Sequence, residues 1–257
     1  MSVDVKHSLE GPDGAPVLVF SNSLGTTSAM WDEPAAALSE RFRILRYDAR
    51  GHGGSPAPQG PYSIAELGGD VIALLDRLEL ETVSFCGLSI GGMTAMWLGA
   101  NAPERIEALA VCCTAAQLAP REAWIDRAAL VRAEGLGAVV DATVERWFRP
   151  EFIDSNPALI ERIRGTFLST DPEGYAGCCE AIAEFDFRER LGEVAPPTLV
   201  VAGEDDPVGT PELVRELEAG IPDARLVSLP ARHLASVEQP RLFTAALLEH
   251  LSAKAGT

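Results

Sequence analysis

The sequence holds no run of about 18 uninterrupted apolar residues, which excludes a membrane-spanning helix. Its opening, Met1-Ser-Val-Asp-Val-Lys, carries an acidic residue and no apolar stretch of signal-peptide length, so the expectation is a soluble, unexported, cytoplasmic protein. Basic residues are scarce: 21 Lys and Arg stand against 38 Asp and Glu, for a net charge of −17. A phosphate backbone would meet repulsion over most of such a surface, and neither nucleic acid nor a membrane is an expected partner. Cysteine is limited to five, an odd number, and the adjacent pairs Cys112-Cys113 and Cys178-Cys179 lack the separated spacing of a zinc or thioredoxin-like site. They read as buried, reduced thiols. Internal repeats, low-complexity tracts and an interdomain linker are also missing, and oligomeric state is left open.

What is present fits one compact unit, since 257 residues with 47% hydrophobic content supply a large core plus an insertion. Short apolar, β-branched runs recur at 17–20, 42–47, 82–86, 108–112, 198–202 and 224–228, with helical patterns at 63–79, 90–101, 211–219 and 240–252. This alternation predicts an α/β fold with a mostly parallel central sheet and helices on both faces. It stops after Cys113 and resumes at Pro196-Pro197. The intervening stretch has helical periodicity and no convincing strand, with breaks at Pro150 and Asn156-Pro157. The expected organisation is therefore a core of 1–113 and 196–257 carrying an all-helical cap insertion, 114–195, over the strand ends where open α/β sheets bind ligands.

The motif that carries chemistry is Gly87-Leu88-Ser89-Ile90-Gly91. It follows an apolar strand and precedes a helix, the setting in which flanking glycines permit a strained turn that lifts a serine hydroxyl above the sheet. A serine needs a base, and only four histidines can serve. His7 lies at the N-terminal edge, His250 in the last helix and His52 in a glycine-rich turn, whereas His233 follows the last predicted strand and can reach back to the strand ends. The orienting acid should follow the strand between serine and histidine, where Glu204-Asp205-Asp206 supplies three carboxylates. Asp206, three residues past Gly203 and followed by Pro207, is the choice, with Asp205 and then Glu204 behind it. Two backbone N–H groups should hold the oxyanion: that of Ile90, and that of Leu24 in the loop Ser21-Asn22-Ser23-Leu24-Gly25, unless that loop is an ordinary glycine turn.

Together these residues resemble the capped α/β-hydrolases and, within them, the 3-oxoadipate enol-lactonases of the β-ketoadipate pathway, over nearly the whole chain. Ser21-Asn22-Ser23-Leu24-Gly25 with Met30-Trp31, the segment from Gly87 to Gly99, and Trp124, Arg127, Arg132, Arg146-Trp147-Phe148 and Tyr175 onward are similar to that family. The resemblance implies hydrolysis of a small lactone, 4,5-dihydro-5-oxofuran-2-acetate, by the lactonase reaction alone, with no metal or organic cofactor. A carboxylesterase, a carbon–carbon bond hydrolase or a cofactor-free haloperoxidase would show the same triad, because fold does not fix substrate. A purely ligand-binding module would more readily have lost a triad member. The lactone carries an acetate arm, so a protein of charge −17 needs a local cation to receive it. Arg127 is the first candidate and Arg132 the second. Trp124, three residues before Arg127 on a predicted helix, would wall the ring. The alternative for Arg127 is a solvated or salt-bridging helix residue.

Overall fold

A computed structural model describes residues 2–118 and 120–252. Met1, Ala119 and 253–257 lie outside it, including both ends of the expected core range and one residue of the expected cap. The first half comprises β1 (His7–Glu10), β2 (Val17–Ser21), α1 (Asp32–Leu38), β3 (Arg43–Tyr47), α2 (Ile64–Arg77), β4 (Val83–Leu88), α3 (Ile90–Asn101) and β5 (Ile106–Cys112). Five helices follow without a strand: α4 (Arg121–Glu134), α5 (Val140–Trp147), α6 (Pro150–Ser155), α7 (Pro157–Leu168) and α8 (Pro172–Glu184). Then come β6 (Thr198–Gly203), α9 (Pro211–Gly220), β7 (Ala224–Leu229), α10 (Ala235–Glu238) and α11 (Pro240–Ser252).

The 7-stranded sheet runs β1-β3-β2-β4-β5-β6-β7, parallel throughout except for β1, which pairs antiparallel with β3. Every residue of β4 and β6 is buried, which is why both read as continuous apolar runs rather than as alternating ones. Local chemistry sets the helix starts. Ser63 and Glu66 form a reciprocal capping box at α2, Asp171 caps α8, Thr210 caps α9, and proline opens α6 through α9 and α11, where its missing N–H has no helical partner to lose.

The chain leaving β2 turns to β3 on one side of the sheet, and the chain leaving β4 turns to β5, with β6 and β7 beyond it, on the other. The loops leaving these two neighbouring strands diverge and leave a crevice at their C-terminal ends. Because Ser21 pairs with Gly87, the loop at 21–25 and the turn at 87–91 stand side by side there.

One buried ion pair braces this end of the core. Arg50, after β3, grips Asp70 of α2 through Nε–Oδ2 at 2.6 Å and Nη2–Oδ1 at 2.8 Å, both side chains being 2% exposed. Removing Asp70 takes away the buried carboxylate and leaves Arg50 to the more exposed Glu66, 3.0 Å from its Nη1. Asp70→Ala is therefore expected to lower unfolding free energy by about 3–5 kcal/mol, read as a fall in the urea midpoint. Asp32→Ala, which breaks an exposed pair with Arg46, should cost at most about 1 kcal/mol.

Candidate active site

Ser89 occupies the turn between β4 and α3 with φ 60° and ψ −119°, a conformation an L-residue adopts only under constraint. Its amide donates to Cys112 O on the neighbouring strand at 2.9 Å. Two glycines make the turn sterically allowed: a Cβ on Gly87 would lie 2.0 Å from Gly91 O, and one on Gly91 would lie 2.4 Å from Ser21 O. As the first residue of α3, Ile90 has an N–H without an intrahelical acceptor.

His233 and Asp206 come from the loops after β7 and β6. Asp206 Oδ2 and Oδ1 lie 2.9 and 3.1 Å from His233 Nδ1, and both side chains are buried. Asp206 Oδ1 also accepts the Val208 N–H at 2.8 Å, which fixes the carboxylate. Glu204 and Asp205 are exposed, and neither carboxylate reaches the ring. The two loops approach so closely that a Cβ on Gly203 would fall 2.4 Å from Arg232 O. Ser89 and His233 line one cavity, and no hydrogen bond joins their side chains, a contact that commonly tightens only when substrate binds.

The histidine loop is fastened to the helices above it. Leu234 N–H donates to Trp147 O at 3.1 Å, and Arg232 donates to Glu145 O. Glu238 accepts from Arg149 Nε and from Arg232 N–H, each at 2.8 Å.

The loop at 21–25 is held from several sides. Asn22 accepts from Trp31 Nε1 at 2.9 Å and donates to Tyr47 O at 2.8 Å, while Ser23 N–H points at Met30 Sδ. Gly25, at φ +75°, packs so tightly that a Cβ would meet Phe167 at 2.5 Å, and its N–H donates to His52 Nε2 at 2.8 Å. That bond leaves the His52 proton on Nδ1, facing Arg50 O, and burial lowers the ring's pKa, so His52 stays neutral and structural. His7 and His250 belong to β1 and α11, away from the cavity. Among the described residues, the Leu24 and Ile90 N–H groups donate to no protein acceptor.

Ser89, His233 and Leu24 line a small cavity whose upper wall comes from α4, α5 and α8. Trp124 and Arg127 of α4 are both in that wall, with Thr143, Arg146 and Trp147 of α5 and Tyr175 of α8, none of which was among the candidates. Arg127 donates through Nε to Tyr175 Oη at 2.8 Å and through Nη2 to Thr143 Oγ1, with no carboxylate partner among the described residues. Arg132 must be corrected as a site candidate. It does not line the cavity but is bound to Glu173 and Glu180 of α8, and it holds the Glu173 carboxyl down at about 2. A guanidinium doubly engaged by carboxylates has no fork left for a ligand.

A second, mostly apolar cavity lies beyond the Gly25 and Leu234 backbone, walled by Met30, Ile163 and Val237; Ser89 and His233 do not reach it. All five cysteines are buried free thiols. Among the described residues there is no cluster of three or more His, Cys, Asp or Glu side chains that could hold a metal ion, and no helix long and apolar enough to cross a membrane.

Residues 16–240 match the profile of the alpha/beta hydrolase fold. The chain is 42% identical over 245 residues to 3-oxoadipate enol-lactonase 2 of Acinetobacter baylyi, covering 95% of this chain and 92% of that one. Identity to 3-oxoadipate enol-lactonase 1 of the same organism is 39% over 235 residues, covering 91% and 88%. The crystal structure of the enol-lactonase from Burkholderia xenovorans LB400 superposes with a TM-score of 0.96 at 43% identity over 97% of both chains.

Proposed function

The chain belongs to the α/β-hydrolase fold family, and from that premise we propose that it hydrolyses the enol-lactone 4,5-dihydro-5-oxofuran-2-acetate to 3-oxoadipate. The observation that carries the choice of substrate is Arg127, a cation without a carboxylate partner on the wall of the cavity that Ser89 and His233 share. A half-buried guanidinium held in place by two hydroxyls is suited to receive the acetate arm, and Trp124 beside it to lie along the ring.

In this reading Ser89 Oγ attacks the lactone carbonyl as His233 Nε2 takes its proton. Asp206 fixes the ring tautomer and offsets the imidazolium charge. Leu24 and Ile90 N–H groups receive the oxyanion, a donor of this kind being worth roughly 10²–10³ in kcat. Collapse breaks the acyl carbon–enol oxygen bond, His233 returns its proton to that oxygen, and the enol becomes the ketone. Water, deprotonated by His233, then attacks the acyl carbon and releases Ser89 and the second carboxylate. Residues 114–195 act as the cap, and a cytoplasmic location accords with free thiols.

The test follows lactone disappearance in the ultraviolet beside turnover of p-nitrophenyl acetate. The expected result is a kcat/KM at least about 100-fold higher for the lactone, since the neutral ester leaves Arg127 unpaired. A preference for the neutral ester would replace this reading with that of a carboxylesterase.

A further inference from the structure

A second guanidinium stands at the same site. Arg146 of α5 lines the cavity that holds Ser89 and His233, and it also lines an adjoining, more open cavity together with Trp124, Arg127 and Val208. Its Nε donates to Ala142 O, one turn back on its own helix, at 3.1 Å. Both terminal nitrogens are left without an acceptor among the described residues, whereas Arg127 has already committed Nε and one terminal nitrogen to hydroxyls. Arg146 therefore holds the more available fork of the pair.

The bland reading of a helix arginine is a surface salt bridge, and the neighbouring helices show what that looks like. Arg121, Arg132, Arg149 and Arg164 each hold a carboxylate. Arg146 does not. Burial first, and the charge of Arg127 second, lower its pKa below the ordinary guanidinium value, so two like charges are kept close without a counter-ion from the described protein. The outer cavity that Arg127 and Arg146 share is otherwise lined by Leu118, Ala123, Trp124, Pro207 and Val208, with no acidic side chain, on a protein of net charge −17. Such a local reversal of field draws anions inward and disfavours neutral competitors.

We infer that Arg146 is the entry-side carboxylate receptor: its free fork takes a small carboxylate ligand at the mouth and, with Arg127, clamps it while the acyl group reaches Ser89. For the lactone this rests on the proposed function. The same clamp also binds the dicarboxylate that hydrolysis generates, so six-carbon dicarboxylates should compete with substrate.

The experiment compares wild type with Arg146→Gln and Arg146→Lys. Arg146→Gln should lower the ratio of kcat/KM on the anionic lactone to that on p-nitrophenyl acetate by about 10- to 100-fold, chiefly through KM, and weaken inhibition by hexanedioate at least about tenfold. It should also make lactone kcat/KM fall less, or rise more, with salt between about 0.01 and 0.15 M, over which the Debye length shrinks from about 30 to 8 Å. Arg146→Lys should restore the salt dependence and only part of the affinity, because a point charge replaces a planar fork. Equal losses on both substrates, or an unchanged inhibition constant for hexanedioate, would overturn the inference. If wild type fails to turn over the lactone, the proposed function falls, while hexanedioate inhibition of p-nitrophenyl acetate turnover still decides the role of Arg146.

Discussion

Ser89→Ala and His233→Ala are each expected to reduce kcat on the enol-lactone by roughly 10⁴- to 10⁶-fold, and the double variant to be scarcely worse than either single one. The hydroxyl is unreactive without a base, and the base has nothing to activate in the first step without the hydroxyl, so either loss stops the same event. In the proposed mechanism residual turnover is expected from the Leu24 and Ile90 amides and from binding, neither of which the substitutions touch. Steady-state rates on purified variants decide it, with retention of more than a tenth of wild-type activity by either single variant ruling out these roles. Gly87, Gly91 and the hydrogen bond from the Ser89 N–H to Cys112 O hold the turn through the backbone, so Ser89→Ala should keep its fold and its affinity for hexanedioate.

Asp206→Asn should cost about 10³- to 10⁴-fold in kcat, and Asp205→Asn less than about threefold. The carboxylate of Asp206 faces Nδ1 of His233 with both oxygens and is shut off from water, so nothing else can take over the orientation of the ring. An amide in its place presents a donor to Nδ1 and favours the tautomer whose Nε2 already bears a proton. Asp205 is in water on the outside of the same turn. A crippling Asp205→Asn beside a mild Asp206→Asn would reverse the assignment.

Most of the sheet could be read from the chain because its inner strands are buried on both faces and spell apolar runs. The edge strand β1 could not: its four residues, His7–Glu10, are partly exposed and carry one large apolar side chain, Leu9, so their pairing is visible only against β3. The segment 114–195 reads as helices from periodicity and prolines, but which helix face meets which is a tertiary fact. From the sequence alone Arg132 reads as a pocket cation; the packing of α8 against α4 brings Glu173 and Glu180 to meet it. Arg146 meets no carboxylate among the described residues, and packing brings it to the cavity. It lies three residues after Thr143, so the two share a face of α5, a signal available in the sequence once Thr143 is known to look inward.

The tie between the histidine loop and the helices above it bears on how such enzymes can be recombined. Leu234, Arg232 and Glu238 are bonded to backbone or side chains at 145–149, more than eighty positions earlier in the chain. A chimera that imports only 114–195 from a relative would bring new partners to an old histidine loop and could displace His233 while leaving Ser89, Asp206 and His233 unchanged in sequence. The heritable module is thus discontinuous: the insertion and the segment 230–238 have to travel together for specificity to be exchanged without loss of chemistry.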